Sequence, residues 1–460
     1  MTLKQAIQDI PGFRFVVENL EINSAPGRRF LSNMEMKTDA REIDTSLCEI
    51  EEMAKWIKAT DYSIIRDISA LLMRLKDIES TLKRLSSGEC LDDIELFEVK
   101  SFIIIAEGVR TLAQKSSVPG ILLPDLSDAL HILDPENTGT PYFYIYDAYD
   151  ERLHQLRVSM RALDPESPEA IKLFCEASSI ESLVRSRLSA NLNAFHSNIN
   201  VAYNALAALD VLMAKAMMAK KFGMCRPVIQ KKGNIDWIGL FNPMVKDSLA
   251  KTGKTFQPVD FSVAKGATLV TGANMGGKSV LLKTLALAQV MVQFGFYAPA
   301  MSGSLIAVKN IILCIGDGQN ELTGLSSFAY EMLAIDRALK IAKEQPDSLI
   351  LIDEPARTTN PEEGKAITDA ILGSFSDTGA MTVVTSHYSG LSALYRFRVR
   401  GLKTLTGETC LSPSDISRLM DYSLIADSGD NTPKEALRIA ALIGIDKAII
   451  NRAKHHLSEK

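Results

Sequence analysis

One stretch near the middle of the chain, residues 272–279, restricts most strongly what this sequence can form. It consists of Gly-Ala-Asn-Met-Gly-Gly-Lys-Ser. The five residues before it, 267–271, are small, apolar or β-branched and predict a buried strand, and the residues from 280 onward favour a helix with apolar residues on every side. A strand, this glycine-rich turn and a helix in succession are typical of a phosphate-binding P-loop.

The residue types of this turn are those that phosphate binding requires. Glycines at 272, 276 and 277 let consecutive backbone N–H groups turn toward phosphate oxygens, where a side chain would clash. The helix that follows presents unpaired N–H groups and the positive end of its dipole to the same anion. We therefore predict that Lys278 contacts the β- and γ-phosphates of a nucleotide and that Ser279 ligates Mg²⁺. A glycine-rich turn without a ligand is the alternative, which the flanking elements disfavour.

Periodicity divides the chain into three regions. Residues 1–232 are mostly long amphipathic helices and predict an arm or lever without a catalytic constellation. Residues 233–415 alternate apolar strands with helices, which predicts a doubly wound α/β domain. Residues 416–460 predict two short helices, interpreted as a dimer contact, with a helix–turn–helix that enters DNA as the alternative.

Individual segments of these regions carry their own predictions. Apolar residues at helical spacing predict one long helix over 63–85 and another over about 169–221. An aromatic and β-branched run predicts a strand at 138–146. Further buried strands are predicted at 310–316, 348–353 and 381–385.

Charge and cysteine usage bear on partners and compartment. The formal net charge of −5 lowers the expectation of DNA binding, because nucleic-acid-binding domains are usually basic. The six cysteines are dispersed without a C-x-x-C pair, and neither a signal peptide nor a membrane span is evident, so we expect a cytoplasmic protein. A basic cluster is interpreted as a solvated helix end, with contact to a phosphate backbone as the alternative: Lys215, Lys220, Lys221, Arg226, Lys231 and Lys232.

Polar residues at later strand ends supply what a nucleoside triphosphatase needs. Asp353 ends an apolar strand and is predicted to hold Mg²⁺, and Glu354 directly after it to polarise the attacking water. His387 follows the next strand, where an imidazole can orient or sense the γ-phosphate. A polar loop from 316 leads into a helix at Ser326, and we predict that it serves a second subunit's nucleotide; a capped surface helix is the alternative.

Together these motifs resemble those of the MutS family of mismatch-repair ATPases. Residues 271–279 are similar to the family's T-G-P-N-M-G-G-K-S, and the Asn-Met pair at 274–275 is more specific than the P-loop alone. The resemblance covers nearly the whole chain and is stronger after residue 235. Segments in the family's order and spacing are 297–300, 326–332, 353–354, 386–388 and the closing helices.

The resemblance implies a MutS/ABC-type ATPase that uses ATP and Mg²⁺ and works as a homodimer with two composite sites. It implies catalytic roles for Glu354, Lys278 and His387, and metal contacts for Ser279 and Asp353. The nucleotide contacts that it implies are Gly272, Ala273, Asn274, Met275, Gly276, Gly277, Lys278, Ser279 and Val280, with Ser326 acting in trans.

Departures from the family pattern bear on the target of the switch. The arm begins almost at residue 1, and few residues near 158–186 are available for a DNA clamp, so we expect a short form without mismatch-recognition, connector and clamp domains. Residues 356–359 are Ala-Arg-Thr-Thr where the family has G-R-G-T. We expect this departure to affect the coupling between subunits rather than hydrolysis. Two functions stay open: an ATP-driven switch acting on DNA in a repair-type process, and an ATP-driven remodelling or reactivation factor for a protein partner.

Overall fold

The computed structural model of the chain forms two compact units. The helical unit comprises Glu21–Met34 and Glu49–Met217, and the sheet unit comprises Met1–Leu20, Glu35–Cys48 and Met218–Lys460. Two early segments thus group with the sheet unit, and the limits drawn at 232 and 415 stay predictions. The residues that the structure describes are 1–139, 142–272, 276–315, 327–403, 419–427, 436–442 and 444–458.

Helices make up most of the described chain before residue 223, as the periodicity predicts. Two of them begin with a capping box, in which the side chains of Thr2 and Asp92 accept from the backbone N–H groups of Gln5 and Glu95. The helices are α1 (Leu3–Asp9), α2 (Phe13–Glu18), α3 (Ala25–Ser32), α4 (Ala40–Ala59), α5 (Tyr62–Met73), α6 (Glu79–Ser86), α7 (Asp93–Ser116), α8 (Ser127–Leu133), α9 (Glu151–Arg161), α10 (Pro168–Asn193) and α11 (His196–Phe222), with a 3₁₀ turn at Asp147–Tyr149.

The single helix predicted over 63–85 is wrong, because the chain leaves helical geometry between α5 and α6. The Asp77 carboxylate lies in this break and accepts from the Glu79 N–H, the Arg29 guanidinium and the Tyr203 hydroxyl. Burial opposes ionisation of Asp77, but the hydrogen bonds from Arg29 and Tyr203 outweigh it and lower the pKa of the carboxyl. Contacts with residues distant in sequence therefore decide where the helix ends.

The long helix predicted over about 169–221 is also divided, between α10 and α11. At the break the Phe195 N–H donates to the carbonyl of Leu192, and His196 Nδ1 lies 2.7 Å from the carbonyl oxygen of Asn193. The apolar periodicity continues across this short interruption, so the pattern alone does not reveal it.

The strand predicted at 138–146 is wrong for the described residues of that segment, which have irregular backbone. They surround the fully buried ammonium group of Lys100, which contacts Asp134 Oδ1 at 3.1 Å and donates to the Tyr142 carbonyl and the Tyr146 hydroxyl, each at 2.9 Å. A buried ammonium needs several oxygen acceptors. The aromatic residues here therefore serve packing around a cation rather than strand pairing.

The sheet unit contains two sheets. A six-stranded sheet has the order β10-β9-β4-β8-β7-β6, in which β9, β4, β8, β7 and β6 are parallel and β10 is antiparallel to β9; the other sheet has the order β1-β5-β2-β3. The strands are β1 (Val228–Gln230), β2 (Ile235–Leu240), β3 (Val259–Val263), β4 (Gly266–Thr271), β5 (Ser302–Ile306), β6 (Asn310–Cys314), β7 (Ser348–Asp353), β8 (Met381–Ser386), β9 (Tyr395–Leu402) and β10 (Met420–Ala426).

Helices pack on both faces of the six-stranded sheet, namely α13 (Lys278–Gln293), α14 (Ser327–Glu344) and α15 (Pro361–Ser376). The other helices of this part of the chain are α12 (Pro243–Lys251), α16 (Ala436–Leu442) and α17 (Lys447–Ser458). On one face α14 and α15 enclose a core with alternate strand residues such as Leu269, Ile350 and Val384. The helix α13 contacts β6, β7 and β8 and is buried along nearly all of its length.

The burial of the strand residues agrees with a sheet that is covered by helices on both faces. Neighbouring residues of a strand point to opposite faces, and residues 349–352 of β7 are all buried. The predicted order, a helical region followed by an α/β sheet domain, is confirmed, as are the strands predicted at 267–271, 348–353 and 381–385. The strand predicted at 310–316 is confirmed for Asn310–Cys314, and residue 316 lies outside the described residues.

Two strands of the six-stranded sheet, β9 and β10, and all four strands of the other sheet were not predicted individually from the sequence. The β9 sequence, Tyr-Arg-Phe-Arg-Val-Arg, alternates aromatic or apolar residues with arginine, which is a strand pattern. β10 lies within 416–460, where only helices were expected, and the described helices of that region begin at Ala436. Gly444 follows α16 at a φ of +82°, as expected for a helix-ending glycine.

Among the described residues, one helix, α11, is long and apolar enough to cross a membrane by length and composition. In the structure 67% of its most apolar window is buried inside the protein. Core helices of soluble proteins meet the same criterion, so packing inside the protein explains the apolar composition of α11. The cytoplasmic location stays a prediction.

Candidate active site

The residues predicted to bind phosphate lie at the carboxyl edge of the six-stranded sheet. β4 ends at Thr271, and α13 begins at Lys278 with Gly277 as its N-cap. β4, β8 and β7 are adjacent and parallel, and their last residues Thr271, Ser386 and Asp353 lie at the same edge. Ligands of open α/β sheets bind at this edge.

The glycines at the two described ends of the turn cannot carry a side chain without strain. Gly272 has a φ of +150° and a Cβ there would lie 3.0 Å from Val399 Cβ; Gly277 has a φ of +76° and a Cβ there would lie 3.1 Å from the Tyr422 ring. Gly277 has no side chain with which to cap α13, so the first N–H groups of this helix suit an anion. The intervening Ala273, Asn274 and Met275 lie outside the described residues.

Lys278 lies between two oxygen acceptors. Its Nζ donates to the Gly272 carbonyl at 2.6 Å and lies 3.0 Å from Glu354 Oε1. The side chains of Lys278 and Glu354 are only 3% and 12% exposed, so each of these buried charges helps to compensate the other. The ammonium is therefore fixed at the glycine turn, where it can meet a phosphate.

The acids predicted from the sequence lie at the end of β7, side by side with Thr385 of β8. The Thr385 hydroxyl donates to Asp353 Oδ1 at 2.6 Å and accepts from the Glu354 N–H at 3.0 Å. Glu354 has a φ of +46°, which is uncommon for a residue with a side chain. The strand thus turns sharply at Glu354, whose carboxylate contacts Lys278.

His387 and Arg357 complete the surroundings of Glu354. His387 Nδ1 and Arg357 Nη1 each lie 3.9 Å from Glu354 Oε2, and His387 Nδ1 is buried without a hydrogen-bond partner in the described part of the chain. Next to them the Tyr388 hydroxyl donates to the Ala356 carbonyl at 3.3 Å. Burial and the carboxylate of Glu354 raise the pKa of Tyr388, so its hydroxyl stays protonated.

A cavity of about 930 Å³ opens beside these groups and is lined by both polar and apolar residues. Its lining includes Gly276, Gly277, Lys278, Asp353 and Glu354, and its volume and mixed lining fit a nucleoside triphosphate. Phe256 and Tyr422 line the cavity, and neither was predicted as a site residue. The apolar part of the lining includes Leu249, Phe256, Val259, Met420, Tyr422 and Leu424.

The donor set also fits Mg²⁺. Ser279 and Asp353 both line the cavity, and a hydroxyl and a carboxylate completed by water and phosphate are the usual protein ligands of this ion. The described residues contain no cluster of three or more His, Cys, Asp or Glu side chains that could hold a metal without such help. Val280 lines the same cavity, whereas Ser326 lies outside the described residues.

The basic cluster is not uniformly a solvated helix end. Lys215 is buried, and Arg226 Nη2 lies 2.9 Å from Asp44 Oδ1. Lys220, Lys231 and Lys232 are exposed. The interpretation of the cluster as a solvated helix end therefore holds for its exposed lysines and not for Lys215.

The fold and site define an α/β domain with a candidate nucleotide-binding site at the carboxyl edge of its sheet. Residues 268–459 match the family model described as MutS domain V. The chain is 31% identical over 331 residues to "Endonuclease MutS2" of Geobacillus sp. (strain WCH70), covering 71% of this chain and 38% of that protein. It is 32% identical over 498 residues to "Endonuclease MutS2" of Geobacillus thermodenitrificans, covering 89% of this chain and 61% of that protein.

A third relative, "Endonuclease MutS2" of Caldicellulosiruptor saccharolyticus, is 27% identical over 447 residues, covering 94% of this chain and 52% of that protein. The chain belongs to the MutS family, as its motifs predicted. It spans between 38% and 61% of the length of these three relatives.

The contact between Lys278 and Glu354 predicts strong energetic coupling in the nucleotide-free protein. In a double-mutant cycle with Lys278→Met and Glu354→Gln, we expect a favourable coupling of about 1–3 kcal/mol, because both charges are largely buried. The free energy of unfolding of the sheet unit is measured in urea through the fluorescence of Trp237, in a Trp56→Phe background.

The control cycle uses the exposed ion pair of Lys340 and Asp336 on α14, which is 2.7 Å long with side chains 69% and 51% exposed. Lys340→Met with Asp336→Asn should give a coupling of about 0.5 kcal/mol or less. Equal coupling in the two cycles would contradict the buried contact.

Proposed function

We propose that this chain is a MutS-type P-loop ATPase that binds ATP with Mg²⁺ and hydrolyses it. The observation that carries the proposal is the juxtaposition of Lys278 and Glu354 at 3.0 Å beside the glycine turn, with Asp353 at the end of the same strand. Family membership supports the same conclusion, because residues 268–459 match MutS domain V.

In the proposed complex the phosphates lie in the glycine turn against the first N–H groups of α13. The Lys278 ammonium exchanges the Gly272 carbonyl and the Glu354 carboxylate for phosphate oxygens, which offer it the same kind of contact. Ser279 and Asp353 hold Mg²⁺, which when bound neutralises charge on the phosphate oxygens. Phe256, which lines the same cavity, can contact a flat face of the base.

Hydrolysis in this proposal is the transfer of a phosphoryl group to water, achieved by positioning and charge stabilisation. Glu354 orients and polarises the water once Lys278 has turned to the phosphates. His387 lies 3.9 Å from Glu354, close enough to sense the γ-phosphate and the state of the carboxylate together. These roles assign the catalytic work to Lys278, Glu354 and His387.

Two substitutions separate binding from turnover. Glu354→Gln should keep ATP affinity but lower kcat by about 100-fold or more, because the amide cannot accept or direct the proton of water as a carboxylate does. Lys278→Ala should weaken ATP binding itself, by about tenfold or more. Fluorescent-ATP titration and steady-state phosphate release measure the two effects. Glu362→Gln, at an exposed position on α15, is the matched control, and unchanged turnover in Glu354→Gln would refute the assignment.

We further propose that the active form is a homodimer with composite sites, in which Ser326 acts on the partner's nucleotide. Support comes from the glycine turn, which already offers N–H donors to its own nucleotide, and from the similarity of the segment 326–332 to the family's pattern. The occupancy of the two sites would then change the relative position of the helical arms.

Mixed dimers test the composite arrangement. In a heterodimer of Lys278→Ala and Ser326→Arg subunits, both lesions fall in one site and the other site is intact. A 1:1 mixture with free exchange should therefore regain about a quarter of wild-type ATPase activity. Lys278→Ala mixed with Glu354→Gln is the control, because every heterodimer site then keeps one lesion. No recovery in the first mixture would overturn the composite site.

We propose DNA as the target of the switch, in a repair-type process, since the relatives are named endonucleases of the MutS2 type. ATP-driven remodelling of a protein partner is the second candidate. The net charge of −5 and the burial of Lys215 favour that alternative, because both reduce the positive charge offered to a phosphate backbone.

DNA binding is measured by fluorescence anisotropy with homoduplex, mismatched and branched DNA, with and without ATP. If DNA is the target, affinity should fall as salt rises, with a slope in log K against log salt of about −0.9 for each phosphate contacted. ATP should change the affinity in the wild type and not in Lys278→Ala. Absence of binding to all three DNAs at low salt would favour the protein partner.

A further inference from the structure

One hydroxyl of β8 lies between the two acids of the proposed site. Thr385 is fully buried and stands opposite Asp353 in the parallel register of β8 and β7. Its hydroxyl donates to Asp353 Oδ1 at 2.6 Å and accepts from the Glu354 N–H at 3.0 Å. A hydroxyl has a single proton, and Thr385 donates it to Asp353. The Thr385 oxygen can therefore only accept a hydrogen bond from Glu354, through its lone pairs. The two contacts are therefore made together, each in a fixed direction.

Thr385 also holds the unusual backbone of Glu354. The Glu354 N–H donates to two oxygens of Thr385, the side-chain hydroxyl and the backbone carbonyl. The distance from the Glu354 nitrogen to the carbonyl oxygen is 3.2 Å. A residue other than glycine in the left-handed region, as Glu354 is at a φ of +46°, persists only where its surroundings fix it. This turn brings the Glu354 carboxylate to 3.0 Å from Lys278.

The acid that would meet the metal is restrained by the same hydroxyl. Asp353 Oδ1 is engaged by Thr385, so the orientation of the carboxylate is set before any ion binds, and its second oxygen is directed accordingly. Partners that hydrogen-bond to a metal-binding carboxylate fix its position and strengthen metal binding. The contact thus bears on the metal through Asp353 and on the water through Glu354.

We propose that Thr385 is a positioning residue for ATP hydrolysis, whose hydroxyl orients Asp353 toward Mg²⁺ and fixes the turn that aims Glu354 at the attacking water. The proposal rests on the proposed ATPase function. It assigns Thr385 no contact with the nucleotide, so its loss should affect turnover and metal affinity far more than ATP binding.

The same strand offers a matched control. Thr382 lies three residues earlier in β8 and is also fully buried, but its hydroxyl has no hydrogen-bond partner within the described ranges. Thr382→Val and Thr385→Val therefore make the same chemical change at the same depth in one strand. The two positions lie on opposite faces of the sheet and differ in whether the lost hydroxyl contacts the two acids.

The experiment compares Thr385→Val, Thr385→Ser and Thr382→Val in the full chain. We measure kcat and KM for ATP, the melting temperature, and the affinity for Mn²⁺ with ADP by electron paramagnetic resonance, which needs no turnover. Thr385→Val should lower kcat and Mn²⁺ affinity by about 10–100-fold, with KM changed by about threefold or less. Thr385→Ser keeps the hydroxyl and should restore both quantities, and Thr382→Val should match the wild type.

Two results would overturn the proposal. One is a Thr385→Val protein whose kcat and Mn²⁺ affinity stay within about twofold of the wild type. The other is an equal loss in Thr385→Val and Thr385→Ser together with a lower melting temperature, which would assign Thr385 to packing alone. Failure of the ATPase proposal is distinguishable, because it would show as unchanged turnover in Glu354→Gln, whereas the Mn²⁺ measurement still tests the contact of Thr385 with Asp353.

Discussion

The buried ammonium group of Lys278 is the constraint on which the rest of the site depends. An ammonium that is 3% exposed is tolerated only with oxygen acceptors around it, and the Gly272 carbonyl and the Glu354 carboxylate provide them. The first acceptor comes from the glycine turn after β4, and the second from the sharp turn after β7. One charge thus joins two strand ends that lie far apart in the sequence, and it explains why a residue with a side chain adopts left-handed backbone at Glu354.

In the proposed ATPase, the same contact would link nucleotide binding to catalysis. In the structure Glu354 Oε1 is paired with Lys278 at 3.0 Å. Phosphate oxygens compete for the ammonium, so their arrival would release Glu354 at the moment when a water must be oriented. The neighbouring His387 and Arg357, both 3.9 Å from Glu354 Oε2, lie where they can respond to that release.

The sequence identified those parts of the molecule that depend on local chemistry. The glycine turn, the acids after β7 and His387 after β8 were predictable because each motif adjoins its own strand. The division between α5 and α6 was not, since it depends on Asp77 contacting Arg29 and Tyr203. The irregular segment around Lys100 and the contacts of Thr385 with the two acids likewise depend on neighbours distant in the chain. Periodicity and composition carry no information about such contacts.

The apolar wall of the cavity is built in part by the last strand of the sheet. β10 carries Tyr422 and Leu424 into that wall, and it lies at the edge of the six-stranded sheet, hydrogen-bonded to β9 alone among the described strands. An edge strand has half the ladder of an interior one and separates from its sheet more easily. Tyr422 of this edge strand lies 3.1 Å from the position of a Gly277 Cβ, so a displacement of β10 would act directly on the start of α13. β10 is also the strand nearest in sequence to the closing helices α16 and α17, which gives the last part of the chain a short route to the glycine turn.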